Sequence, residues 1–355
     1  MDITVVKIGS NTVADTNGSL RIGFIEDTLS SVGAAVAAGK KIVLITSGAV
    51  KIGRALRRRD DLARSVAAGV GQPVLFASYQ EVARKHDLVL AEILISRPYL
   101  IRRQQFLALQ RTFGELFEQG IIPVVNENDA VVADTDWSFG DNDSLAAALA
   151  VSFAAQKLII VSHIDGLYDA DPALDPSARL IPQVADVNRE LMKYSSGKTS
   201  AGGRGGMLSK LKAARLCTAI GIEVQIMNGL VKENIGKALA GQRIGTVFTA
   251  RRFTKTISNR QRWMLAAKNS QGTIEIDDGA VSAVRSGKSL LAVGVKSAYG
   301  AFEAKEIIEI VDRNKDGVAF GIVDVSKADI ETMLTGADLR GKQLMHANNM
   351  VVLES

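Results

Sequence analysis

Residues 3–10 read Ile3-Thr4-Val5-Val6-Lys7-Ile8-Gly9-Ser10. Six residues without an alternating polar face suit a strand covered on both sides, as in a parallel sheet, and the run stops at a glycine and a serine where a chain can turn. Comparable runs recur at 42–46, 121–125, 158–161 and 223–227, with a weaker one at 89–95. Alanine-rich stretches of helical spacing lie between them, among them 25–38, 144–155 and 210–220. Gly39, Gly120 and Gly221 stand where left-handed residues close helices. The alternation predicts an α/β domain over residues 1–250, a doubly wound, mostly parallel sheet with helices on both faces.

The rhythm breaks at residues 250–271, which carry six Lys or Arg and no acid, and which read as a basic linker over 251–271. Short strand-like runs follow at 273–276, 289–293, 307–311, 317–322 and 350–353, with one helix-like stretch at 327–333. They predict a second, small β domain over 272–355. A length of 355 residues fits two domains, and 47% apolar with 23% charged residues excludes a disordered chain. The single cysteine, Cys217, rules out an intramolecular disulfide and a cysteine zinc site, and suits a reducing cytosol. His86, His163 and His346 are scattered, so no histidine metal cluster is expected. The first apolar run has only strand length, and Lys40 and Lys41 interrupt the longest apolar region below the ~20 residues that span a bilayer. The expectation is a soluble, cytoplasmic protein. A net charge of +5 permits anionic ligands without arguing for nucleic acid.

In a parallel sheet, ligands bind beyond the carboxyl ends of the strands. The residues there are Gly9-Ser10, Ser47-Gly48, Asn126-Glu127-Asn128-Asp129, Ser162-His163 and Asn228-Gly229, all polar or glycine. Any one such turn is ordinary; five converging on one edge suit a phosphate or amino-acid site. Lys7, near the end of a buried strand, is costly there unless it meets an anion. Acidic and amide side chains crowd 126–129 and 140–143 and call for cations: a substrate ammonium, a metal or lysines. Asp143 would equally serve as the N-cap of a helix beginning at Ser144. The glycine-rich run from Ser200 into Lys210 is either a phosphate cradle at a helix N-terminus or a flexible loop. Ser196-Gly197-Lys198-Thr199 imitates the end of a P-loop, but Met192 stands where its glycine is required. Cys217 lies on an apolar helical stripe and reads as packing.

These residues resemble the amino-acid kinase family, and its glutamate 5-kinase branch most closely. The resemblance is carried by VVKIGS (5–10), ITSGAV (45–50), VVNENDAV (124–131), FGDNDSLAA (139–147), IDGLYDADP (164–172) and RGGMLSKLKAA (204–214). Residues 272–295 resemble a PUA domain. The resemblance implies an amino-acid kinase-like fold, a C-terminal PUA-like domain and transfer of the ATP γ-phosphoryl to the γ-carboxylate of L-glutamate, the first step of proline biosynthesis. A carboxylate nucleophile is already anionic and needs no general base, so positioning and charge neutralisation would carry the catalysis.

By the same resemblance Lys7 and Lys210 would stabilise the transferring phosphoryl and Asp143 would hold the two lysines. Ser47, Asn126, Asp129, Asp141 and Asn142 match glutamate-binding positions, with Asp129 or Asp141 pairing the substrate ammonium. Lys7, Gly9, Ser10 and Gly48 would face phosphate. Ser162, His163, Arg204, Gly205, Gly206, Met207, Leu208, Ser209 and Lys210 match nucleotide-binding positions. Mg²⁺ is implied as the companion of ATP with no protein ligand, L-proline as feedback inhibitor, and a homo-oligomer, dimer or tetramer, as the assembly. Two departures stand out: His163 replaces an aspartate usual in the family, and Arg204 often a small residue. His163 adds a group that titrates near neutrality beside the nucleotide. Two alternatives remain at this point: a kinase of another acid (acetylglutamate or aspartate), and an RNA-binding protein acting through the PUA domain, whose affinity would fall steeply with salt.

Overall fold

The computed structural model describes residues 2–133, 135–188, 191–192, 206–250, 257–267, 272–336 and 341–353. The chain forms two compact units, Met1–Ala250 and Arg251–Ser355.

In the first unit the apolar runs become strands β1 (Ile3–Ile8), β2 (Lys41–Ile45), β3 (Leu90–Ile95), β4 (Ile122–Glu127), β5 (Lys157–Ser162), β6 (Gln183–Val184), β7 (Glu223–Asn228) and β8 (Thr246–Phe248). They form one sheet in the order β3-β4-β2-β1-β5-β7-β8-β6, parallel throughout except where β8 runs against β7. Every residue of β1 and β4 is buried, as continuous apolar strands require. The chain passes from β1 to β2 on one side of β1 and returns to β5 on the other, so β1 stands where a doubly wound sheet opens its ligand crevice.

Strand limits differ from the sequence reading in one way that matters. β4 runs on through Asn126 and Glu127, β5 through Ser162 and β7 through Asn228, so these polar residues are the last rungs of strands instead of turn residues. Their backbones pair with neighbouring strands, as in the Ser162–Asn228 and Ile95–Glu127 registers.

The helices that matter to the site are α1 (Ser10–Val13), α2 (Ile22–Ala37), α3 (Ala49–Arg57), α4 (Arg64–Lys85), α5 (Pro98–Ile101), α6 (Arg103–Glu118), α7 (Asp129–Val132) and α8 (Asn142–Ser152), followed by the helix Met207–Thr218. Gly39, Gly120 and Gly221 all take positive φ. Helices α3 and α4 cross at backbone contact: a Cβ on Gly71 would lie 1.9 Å from the Ala49 carbonyl oxygen, a gap only glycine leaves open. Helix α8 is buried from Leu145 to Ser152 and packs on β1, β5 and the helix Met207–Thr218; its small side chains let these layers close. It begins at Asn142 with Asp141 as N-cap, which corrects the expectation of Asp143 as cap of a helix starting at Ser144. Cys217 is fully buried.

The second unit has a five-stranded sheet, β11-β9-β12-β13-β15, antiparallel except where β12 lies parallel to β9. Its strands are β9 (Thr273–Ile276), β11 (Val295–Tyr299), β12 (Ile307–Val311), β13 (Gly317–Ile322) and β15 (Met350–Val352); β10 (Leu290–Leu291) pairs separately with β14 (Gln343–Met345). Ile274, Ile276, Ile308, Ile310, Val318 and Leu344 belong to its own core. Two helices were not legible as such. Asp277 caps the helix Asp278–Arg285 by accepting from the Ala280 amide at 2.9 Å. Inside the stretch read as a linker, Ser258 and Gln261 form a capping box that starts the helix Asn259–Ala266, packed on β13 and β15.

Candidate active site at the carboxyl edge of the sheet

Lys7, next to last in β1, and Lys210, in the first turn of the helix Met207–Thr218, point at one carboxylate. Lys7 Nζ lies 2.7 Å from Asp143 Oδ1, and Lys210 Nζ lies 3.1 Å from Asp143 Oδ2. The Ser209 hydroxyl donates to the same Oδ2 at 2.7 Å. The three residues are 6%, 7% and 0% exposed for Lys7, Lys210 and Asp143, so all three charges sit out of water. Burial alone would push the Asp143 carboxyl up. The ammonium groups of Lys7 and Lys210, with hydrogen bonds from Lys7 and Ser209, outweigh it and hold the carboxyl well below the usual range. Burial, joined by the Lys7 charge, lowers the Lys210 ammonium against the raising pull of Asp143. Asp143 also lies in the first turn of α8, where the helix dipole favours a negative charge.

A second cluster adjoins it. Asn142 Nδ2 donates to the Thr46 carbonyl at 2.6 Å and to Asn126 Oδ1 at 2.8 Å. Asn126 Nδ2 donates in turn to Gln72 Oε1 at 2.7 Å. Asp141 accepts from the Ser144 amide (2.8 Å) and hydroxyl (3.1 Å), and no ion pair to it is found among the described residues. Burial, and then the nearby Asp143 charge, raise its carboxyl above the ordinary value. Asp129 is different: Arg64 donates to its Oδ1 from Nε at 3.1 Å and Nη2 at 3.0 Å. Of the two carboxylates expected to meet a substrate ammonium, Asp129 therefore has a cation already, and Asp141 is the one that calls for another.

The phosphate-facing backbone is partly used up. The Gly9 amide donates to Val161 O at 3.0 Å, continuing the β1–β5 ladder, so its N–H is already spent. The amides of Ser10, which opens α1, and of Gly48, at φ +105°, make no hydrogen bond among the described residues. The Ser47 hydroxyl donates to Ile8 O at 2.6 Å and ties the ends of β2 and β1 together. Ser162 is buried at the end of β5, and its carbonyl accepts from the Gly229 amide at 2.8 Å. His163 is exposed just beyond. Burial, then the charges of Lys210 and Lys51, lower its imidazole below the ordinary value, so it is neutral at pH 7 and titrates further into acid than its sequence position alone implied. Gly206 is the N-cap of the helix Met207–Thr218, with Met207, Leu208 and Ser209 half-buried in its first turn. Arg204, Gly205, the preceding glycines and Ser196–Thr199 lie outside the described residues.

The profile of the Amino acid kinase family matches residues 2–228, and that of the PUA domain matches residues 272–343. The chain belongs to the amino acid kinase family. A glutamate 5-kinase of Gloeobacter violaceus is 36% identical over 366 residues, covering 98% of this chain and 99% of that protein. Those of Dehalococcoides mccartyi and of Geobacter sp. (strain M21) are 36% and 35% identical, each over 98% of this chain and over 98% and 97% of their own lengths. Full-length likeness at this level places the chain in the glutamate 5-kinase group of that family. The first unit is its α/β kinase fold and the second holds the PUA domain.

Several site residues had no assigned part in the sequence reading. Gln72 and Arg64 come from α4, whose sequence carries no motif, and they enter only because α4 crosses beneath the edge. Lys51, on α3, donates to Asn11 Oδ1 at 3.1 Å and Ala14 O at 3.3 Å; burial lowers its ammonium. Glu127 and Arg97 organise the 137–140 segment. Glu127 was visible inside a quoted motif, but nothing in the sequence said what its carboxylate meets.

Proposed function

We propose that this chain uses ATP to phosphorylate the γ-carboxylate of L-glutamate, giving L-glutamyl 5-phosphate. The observation that carries the reading is the buried Lys7–Asp143–Lys210 bridge beside the Asn126–Asn142–Asp141 cluster. Two ammonium groups on one carboxylate leave a net positive charge in a water-poor edge, suited to a phosphoryl group whose oxygens carry the charge of the transition state. Asp143 pairs with both lysines and keeps them aimed. The acceptor carboxylate is anionic at neutral pH and attacks without a base.

In this reading Asp141 receives the substrate ammonium, and the Asn126–Asn142 pair, already fixed by Thr46 and Gln72, orients the amino acid. Asp129 acts through Arg64, holding it at the border of the pocket. Ser10, Gly48, the Met207–Ser209 turn and His163 border the nucleotide phosphates. Mg²⁺ would arrive with ATP and take its ligands from phosphates and water; among the described residues no three His, Cys, Asp or Glu side chains converge to hold a metal. Feedback by L-proline and a homo-oligomer belong to the same proposal and rest on the family likeness. A cytoplasmic location rests on the same ground, and among the described residues no helix is long and apolar enough to cross a membrane.

The test is ADP release by the purified chain with ATP and Mg²⁺, comparing L-glutamate, N-acetyl-L-glutamate and L-aspartate, with hydroxylamine to trap an acyl phosphate. Glutamate-dependent ADP and a γ-hydroxamate are expected. Turnover of one of the other acids alone would keep the phosphoryl machinery and remove the substrate assignment.

A further inference from the structure

We infer that Glu127 is a positioning residue for glutamate binding, acting as a staple that sets the segment 137–141 so that Asp141 and Asn142 face the amino acid; this rests on the proposed glutamate site. Glu127 is the last residue of β4, is 3% exposed, and touches neither the lysine bridge nor the asparagine pair through its side chain. Both of its carboxylate oxygens are spent on one short stretch of chain. Oε1 accepts from the Phe139 amide at 2.5 Å, and Oε2 accepts from the Ser138 hydroxyl at 3.1 Å.

The Ser138 oxygen then accepts from the Gly140 amide at 2.9 Å, so the carboxylate reaches, through one hydroxyl, the residue directly before Asp141. Gly140 sits at φ +85°, where a side chain would be strained, and turns the chain into the Asp141 cap of α8. Arg97 holds the same stretch from the other side. Its amide donates to Trp137 O at 3.0 Å, its Nε donates to Ser138 O at 3.0 Å, and its guanidinium lies 5.2 Å from the centre of the Phe139 ring. Three consecutive loop residues are thus pinned from the ends of β4 and β3, which are rigid because they are paired strands.

A carboxylate suits this geometry. The two donors it meets lie one residue apart on a turn, and only a two-oxygen acceptor satisfies both without donating in return. Burial raises the Glu127 carboxyl, which the Phe139 and Ser138 hydrogen bonds and Arg64 partly offset. The adjacent Asp129 charge, itself paired with Arg64, raises it further. Removing the carboxylate leaves a buried amide and a buried hydroxyl without an acceptor and frees the loop, while Lys7, Asp143 and Lys210 keep their own contacts. The effect should therefore fall on glutamate and spare ATP.

Steady-state kinetics of Glu127→Ala and Glu127→Gln in the full chain, varying each substrate separately, tests this. For Glu127→Ala the KM for glutamate should rise about tenfold or more, with the KM for ATP within about twofold. Glu127→Gln keeps an acceptor for the Phe139 amide, and its NH₂ can donate to a reversed Ser138 hydroxyl, so it should recover most of the glutamate affinity. Ser138→Ala, which removes only the relay, should raise the glutamate KM about threefold in the same selective way, and it carries the test should Glu127→Ala not accumulate as folded protein. An unchanged glutamate KM in Glu127→Ala and Ser138→Ala, or a rise shared equally by ATP, overturns the inference. A wild-type chain without glutamate-dependent ADP release would instead remove the glutamate reading beneath it.

Discussion

Two carboxylates at the start of α8, Asp141 and Asp143, stand two residues apart and live in opposite surroundings. Asp143 is wrapped by two ammonium groups and a hydroxyl and is held well below the ordinary carboxylate range. Among the described residues Asp141 accepts from Ser144 alone; burial and the nearby Asp143 charge push it up. The phosphate half of the edge thus has its ion triad complete within the protein, with one positive charge left over for a phosphoryl group. The amino-acid half carries a carboxylate, Asp141, with no ion pair among the described residues, where a substrate ammonium would find a partner. A kinase that must collect a polyanionic nucleotide and an amino acid with a cationic amine is served by that division: positive where phosphoryl passes, negative where the amine docks.

The largest effects should come from breaking the complete half. Asp143→Ala leaves two lysines buried without a counter-charge; it should cost about 3–5 kcal/mol of stability in chemical denaturation and abolish turnover. Its pH behaviour follows from the sign of the shift. Because the folded carboxyl lies below its unfolded value, its stabilisation is full above about pH 4 and is lost as the medium is acidified further, so Asp143→Asn should flatten the acid limb of the unfolding curve there. Lys210→Met should lower kcat by about 10²–10³ while moving the glutamate KM only a few-fold, since the lysine acts on the transferring group.

Altering the incomplete half should give the reverse pattern. Asp141→Asn removes the charge opposite the substrate amine and should raise the glutamate KM by about 10–100-fold with kcat largely kept. Because the Asp141 carboxyl is raised, it takes up its proton earlier than an ordinary aspartate on acidification. Glutamate affinity in the wild type should therefore fall on acidification, beginning above the pH at which an ordinary aspartate takes up its proton, and this limb should vanish in Asp141→Asn. The smallest effect belongs to His163. Lowered by burial and by Lys210 and Lys51, it gains charge only in acid, so the KM for ATP should be flat above about pH 6.5 and decrease modestly below it. His163→Asp should remove that decrease; a KM profile identical in both proteins would eliminate His163 from nucleotide binding.

Much of this architecture is legible in the chain. Continuous apolar runs such as 3–8 and 158–161 marked buried parallel strands, because a strand covered on both faces has no side left for polar residues. Glycines at 39, 120 and 221 marked helix ends, because the left-handed conformation excludes most side chains. The helix Asn259–Ala266 escaped notice because its basic composition masked a capping box of local origin.

The sequence by itself determined which chemistry was at hand: lysines at strand and helix ends, acids and amides beside glycine, and the motifs that mark the kinase family. It determined only in part which charge meets which. The resemblance already implied that Lys7 and Lys210 close on Asp143, but that Arg64 claims Asp129, that Asp141 has no ion pair among the described residues, and that Val161 consumes the Gly9 amide were decided by the tertiary structure alone. Ion pairing and hydrogen bonding are short-ranged in space and indifferent to distance along the chain, so the partner of a buried charge is chosen by the packing of β1, α4, α8 and the helix Met207–Thr218.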